Sequence, residues 1–204
     1  MTETTLLLAA VETAWDAIRE HHPEIPRVTV VTDRTGARHT LHTPEGYATG
    51  AHPYELPISV GTLERGGFAV VGHLLHVAAH GLARARDLKE VSQQDRRHNR
   101  TFANLGREVG LEWPEGRRPH PTYGYGDMSV APDTMVTYES YAVAIDTLLA
   151  DTDLSALRPP RPRGTARVRL ECPCGRRMWM AGSVADIAPV ICGNCEEEFA
   201  AGAS

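Results

Sequence analysis

The chain has 204 residues, 42% of them hydrophobic and 23% charged, which suits a soluble globular domain with a sizeable core and a small appendage. The net charge of −5 names no partner class. No apolar run reaches the roughly 20 residues that a spanning helix needs, so no membrane partner is expected. Glu3 and Glu12 flank Leu6–Val11 without a basic region, so this stretch does not read as a signal peptide and the expected location is cytoplasmic.

Residues from about Thr5 to Glu20 predict an amphipathic helix, because Leu7, Leu8, Val11, Trp15 and Ile18 recur at spacings of three and four. His21, His22, Pro23 and Pro26 end it. Arg27–Thr32 is rich in β-branched residues and predicts a strand. Asp33–Gly50 reads as a turn or loop with a short strand near His39–His42. Glu55–Val60 predicts another strand, and Pro57 places it at an edge or a strand start. Such an edge beside a metal site would suit docking of an extended peptide.

Gly61–Gly67 leads into a helix that runs to about Arg86. Asp87–His98 is polar and reads as a loop. Asn99–Gly110 predicts a helix, with Phe102, Leu105 and Val109 at helical spacing and Gly110 at its C-terminal stop. Pro114–Pro132 reads as one long loop, and Thr137–Leu149 as a further helix. Ser155–Thr165, with Pro159, Pro160 and Pro162, reads as a stiff extended linker. The expected division is a domain over 1–154, a Pro/Arg-rich linker over 155–166 and a cysteine module over 167–204.

Chemistry concentrates at two places. In Phe68–Gly81, His76 and His80 are four residues apart, so on a helix they stand one above the other. That is the spacing of a helical zinc site, although two of ten histidines can also fall so without any joint role. Two ligands hold zinc poorly; the best third candidate is His98, 18 residues after His80 and just before the next helix. Asp87, Glu90 and Asp95 lie in the intervening segment, and one of them would orient a ligand histidine through its other ring nitrogen. The H-E-x-x-H pattern of metalloproteases has its general base at the second position, which here is Val77. His73, one turn earlier, is the candidate substitute base, with a partly exposed helix-start histidine as the plainer reading. Tyr123 and Tyr125 are candidates for oxyanion stabilisation or for loop packing.

The second place holds all four cysteines, Cys172, Cys174, Cys192 and Cys195. Two close pairs with a strand-forming spacer predict a closed, structural four-cysteine zinc ribbon whose fold depends on the metal. Gly175 and Gly193 suit the tight turns. From Arg158 to Arg177 seven arginines face the single Glu171. Arg161, Arg163, Arg167, Arg169, Arg176, Arg177 and Trp179 are therefore candidate contacts to a nucleic acid such as DNA. Lys89 is the sole lysine of the chain, however, so arginine richness is also a compositional habit.

Leu74-Leu-His-Val-Ala-Ala-His80, a polar segment, His98-Asn-x-x-Phe102, Val109-Gly-Leu111 and the terminal cysteine module together resemble the SprT-like (Spartan-like) zinc metalloprotease family. The resemblance spans about residues 55–200. It implies an α+β, zincin-like domain followed by a zinc ribbon, two zinc ions, and His76, His80 and His98 as ligands of the first. It also implies a protein or peptide substrate. The departure is Val77, which cannot activate a zinc-bound water, so weak or absent hydrolysis is expected. The alternative is a non-catalytic zinc-binding module, a pseudoenzyme, that binds DNA or a protein.

Overall fold

A computed structural model of the chain describes residues 2–33, 54–92, 97–158 and 167–201. It is an α+β structure in two compact units, Met1–Arg158 and Pro159–Ser204.

The first unit opens with α1 (Glu3–His21), capped by Thr2, whose side chain accepts from the Thr5 amide. Leu7, Val11, Ala14, Trp15 and Ile18 form its buried stripe. The Trp15 indole donates to the Pro26 carbonyl at 3.0 Å, so the ring is buried without an orphaned N–H. Strand β1 (Val28–Asp33) pairs in parallel with β2 (Tyr54–Ser59), register Val30 to Leu56. The Val30 amide donates to Glu12 of α1 at 2.8 Å, so the helix satisfies a donor of the strand. After the one-turn α2 (Val60–Leu63) comes α3 (Gly67–Ala85). Helix α3 is buried on nearly all sides, as expected of a helix at the centre of a core.

Two close approaches fix α3. Gly66 starts it with φ 89° and no side-chain cap. The Gly67 amide donates instead to Asp146 of α5 (Pro132–Asp151) at 2.6 Å. A Cβ at Gly67 would run into the Ala142 backbone carbonyl, so the α3–α5 crossing depends on its absence. At the other end Asp87 takes the left-handed position (φ 51°), and the Leu88 amide closes back on Ala83 at 2.8 Å. Arg86 ties three element ends together by bonding both Glu24 (3.1 Å) and Glu108 (2.8 Å).

The segment after α3, expected to be loop, pairs β3 (Val91–Ser92) with β4 (Arg97–His98), antiparallel. Asn99 then caps α4 (Arg100–Glu108), and Gly110 (φ 92°) ends it. The long stretch to Pro132 is likewise not one loop. Strand β5 (Leu111–Glu112) pairs with β6 (Ser129–Val130), and Gly124 bridges to both His98 and His120. Helix α5 begins at Pro132 and not near Thr137, because proline is favoured in a first helical turn, where its missing N–H is not needed. Residues 155–157 are not extended linker. Leu154–Leu157 forms a 3₁₀ turn capped by Asp153, since both leucines find core to pack against. The strand expected near His39–His42 lies outside the described residues.

In the second unit β7 (Arg167–Glu171) pairs with β8 (Arg177–Ala181) and with β9 (Ala200–Ala201), all antiparallel; a short α6 (Gly182–Ala185) follows β8. Among its described residues the buried apolar ones are Leu170, Cys172 and Cys192. Among the described residues no helix is long and apolar enough to cross a membrane.

Candidate metal centres

His76 and His80 lie one turn apart on α3, and His98 ends β4. The His80 Nε2 lies 3.3 Å from that of His76 and 3.2 Å from that of His98. Ligands about 2.0–2.1 Å from a tetrahedral ion stand about 3.3–3.4 Å apart, so these separations fit one metal ion held by three imidazoles. The donor chemistry agrees. Behind His80, Glu90 faces Nδ1 at 3.0 Å. A carboxylate there makes Nδ1 the proton-bearing nitrogen and turns the Nε2 lone pair towards the meeting point. Of the three acids in this segment, Glu90 therefore takes the orienting position. Asp87 terminates α3, and Asp95 lies outside the described residues.

Burial alone would raise the Glu90 carboxyl. The hydrogen bond from His80, its own backbone N–H and the neighbouring His80 and His98 outweigh that and hold it below the ordinary carboxylate range. Phe102, fully buried on α4, lies under all three rings, with centroids at 4.8, 4.9 and 4.2 Å from His76, His80 and His98. It gives the centre an apolar floor. Helical spacing marks Phe102 as a core residue but does not reveal this use.

Val77 is 0% exposed and belongs to the main core cluster. His73 is buried and not exposed at the helix start; its Nε2 lies 3.2 Å from the Pro57 carbonyl of β2. Tyr125 packs edge-on to Trp113 at 5.1 Å, and Tyr123 is 57% exposed and stacked on His120. The loop that carries both tyrosines is pinned to His98. The His98 amide donates to the Tyr123 carbonyl at 3.1 Å, and the Tyr125 amide donates to the His98 carbonyl at 3.0 Å. Gly124, between the two tyrosines, is the sequence signal for such a backbone approach.

The four cysteines form the second group, with Sγ separations of 3.1 Å (Cys172–Cys195), 3.3 Å (Cys172–Cys174) and 3.7 Å (Cys174–Cys192). All four ligand atoms lie within 4.8 Å of one another, as do the three of the histidine group. Each pair sits on a tight turn. The Gly175 amide donates to the Cys172 carbonyl, with Gly175 at φ 86°. In the second turn the Glu196 amide donates to the Cys192 carbonyl, and Glu196, not Gly193, takes the positive φ of 59°. Backbone N–H groups of Asn194 and Cys195 lower the Cys192 thiol to about 6, and burial pushes Cys172 up to about 12. A thiolate stabilised by backbone amides is ready to ligate a cation.

Strand pairing sets Arg169 opposite Trp179 and Arg167 opposite Ala181, so Arg167, Arg169, Arg177 and Trp179 share one sheet face. Trp179 is 63% exposed. Glu171, on the same face, bonds Arg169 and also Arg177, the latter at 2.8 Å. Arg176 is exposed in the first cysteine turn. Arg161 and Arg163 lie outside the described residues.

Both groups can hold a metal ion. No family model, no curated protein and no solved structure matches the chain.

Proposed function

We propose that the chain is a SprT-like zinc metallopeptidase-family protein with a zincin-like first unit and a structural zinc ribbon, whose peptide hydrolysis is weak or absent. The observation that carries this reading is the approach of the His76 and His98 Nε2 atoms to that of His80, at 3.3 and 3.2 Å, with Glu90 behind His80. A zinc ion held in that centre would supply Lewis acidity. The chain's own groups do the rest: His76, His80 and His98 hold the metal, Glu90 fixes a ring, and Phe102 keeps water from beneath. The base position is the gap in this machinery. Val77 has no titratable group, the Glu90 carboxylate is engaged with His80, and His73 directs one nitrogen at Pro57. Loss of general base assistance removes about 10²–10⁴-fold in rate.

The test has two parts. Metal analysis of the chain is expected to find two zinc ions; a single one, released by no histidine substitution, would overturn the histidine centre. Val77→Glu is then compared with the unaltered chain on an unfolded protein substrate, both loaded with zinc. The variant is expected to cleave about 10²-fold faster or more. Equal cleavage by both would mean that another group serves as base and would sink this account of Val77.

A second reading is favoured by the shared face of Arg167, Arg169, Arg177 and Trp179: a non-catalytic module that binds single-stranded nucleic acid by stacking and phosphate contacts. Its signature is binding by the full chain that weakens with salt and with Trp179→Ala. Binding unchanged by either would remove it, leaving a protein or peptide as the partner.

A further inference from the structure

We propose that Gly126 is a positioning residue of the three-histidine centre: the space left by its missing side chain lets the His98 ring stand where its Nε2 meets those of His76 and His80. The inference rests on the metal reading above and concerns a residue that ligates nothing.

His98 belongs to a two-residue strand, which by itself fixes a side chain poorly. Its backbone is held from the far side by the 120–126 loop, through Tyr123 O and Tyr125 N. That loop is closed within itself. His120 and Gly124 exchange backbone hydrogen bonds at 2.9 and 2.8 Å, and His120 Nδ1 accepts from the Thr122 and Tyr123 amides at 3.1 Å each. The two glycines do different things. Gly124 has φ +60°, and a Cβ there would run into the His98 carbonyl, so it permits the approach of the two backbones. Gly126 has no positive φ, so its backbone admits any residue. A Cβ at 126 would instead lie 2.7 Å from His98 Nδ1, 3.1 Å from its Cε1 and 3.2 Å from the Tyr123 carbonyl oxygen. The steric load of a methyl at 126 thus falls first on the ligand ring. Phe102 already packs on that ring, so the imidazole turns more readily than it slides, and Nε2 leaves its 3.2 Å approach to His80.

The experiment is zinc titration of the full chain, with total metal counted after removal of excess ion. The unaltered chain is expected to take two zinc ions. Gly126→Ala is expected to keep one tightly, in the cysteine group, and to bind the other at least ~10-fold more weakly, the range seen when groups orienting a ligand are lost. Gly61→Ala, where a Cβ would meet only Ser59 Oγ at 3.9 Å, is the control and keeps both. A double-mutant cycle separates positioning from general damage. In a His98→Ala background the added Gly126→Ala is expected to change zinc affinity by less than twofold, because the ring it displaces is gone. The role of Gly126 is overturned if Gly126→Ala binds both ions as the unaltered chain does, or if its effect is as large without the His98 ring. Should Gly126→Ala fail to fold, the His98→Ala/Gly126→Ala chain is expected to fold, and its failure too would overturn the proposal. Uptake of one zinc by the unaltered chain that His98→Ala leaves unchanged would instead sink the metal reading itself and this inference with it.

Discussion

Glu196 occupies a left-handed position (φ 59°) directly after the second cysteine pair, where its counterpart after the first pair is Gly175 (φ 86°). An L-residue held in that region carries about 1–2 kcal/mol of strain, and a glycine there carries almost none. Glycine gives part of this back through the greater freedom of the unfolded chain. Glu196→Gly is therefore expected to stabilise the metal-loaded turn by roughly 0.5 kcal/mol, read as about twofold slower metal transfer to a competing chelator. Gly175→Ala tests the same physics in reverse. Nothing lies within 4 Å of the added methyl, so its effect is purely conformational, at about 1 kcal/mol and roughly fivefold faster transfer. Opposite signs at these two equivalent positions are the expected outcome. If both substitutions move the rate the same way, backbone strain is not what distinguishes the turns. Residue type misleads a reading of this turn from sequence: a Cys-Gly-Asn-Cys stretch points to Gly193, whereas the hydrogen bond from the Glu196 amide to Cys192 puts the strain one residue past the last cysteine.

The element that decides the histidine centre is α3, and its start is set by α5. Gly67 touches the Ala142 backbone, and its amide is satisfied by Asp146, a partner 79 residues away. Gly67→Ala pushes a methyl against a main-chain carbonyl that cannot rotate aside, so the two helices must separate. The expected loss of stability is about 1–3 kcal/mol, the range for overpacking a tight contact. Asp146→Ala leaves the crossing intact and removes only the cap, at about 1 kcal/mol. Denaturant midpoints of the first unit are expected to fall in that order. A Gly67→Ala midpoint equal to that of the unaltered chain would mean that the helices have room to spare. Periodicity locates α1, α3 and α4 because each buries one stripe or, for α3, nearly every face. It cannot find β3 to β6, since a two-residue strand has no period to show. The spacing of His76 and His80 is local and therefore visible. Glu90, the Phe102 floor and the glycine loop act across space, through contacts that appear only once the β3–β4 and β5–β6 pairs fold the chain back. Among three candidate acids, only the folded chain distinguishes the one that faces His80.

At the scale of the whole molecule, the two units differ in what holds them together. Met1–Arg158 encloses a continuous core that includes Trp15, Phe102, Leu74, Leu75 and Ile145, all fully buried. The second unit buries Leu170 and two of its own candidate ligands, Cys172 and Cys192. Among the described residues Leu170 is the one fully apolar side chain buried there, too little core for so small a unit to fold unaided, so metal binding is expected to contribute its folding free energy. Chelation should therefore act unequally. A strong chelator is expected to abolish the β7–β8–β9 pairing while leaving the helices of the first unit folded, because stripping the histidine centre removes no core side chain. Limited proteolysis reads this directly: with metal the full chain resists cleavage at 167–201, and after chelation that segment is digested first while a fragment ending near Arg158 survives. Helical circular dichroism is expected to change little over the same treatment. If both units become sensitive at the same chelator concentration, the histidine centre is as much a folding element as the cysteine group. If neither does, the cysteine group is not held by metal at all.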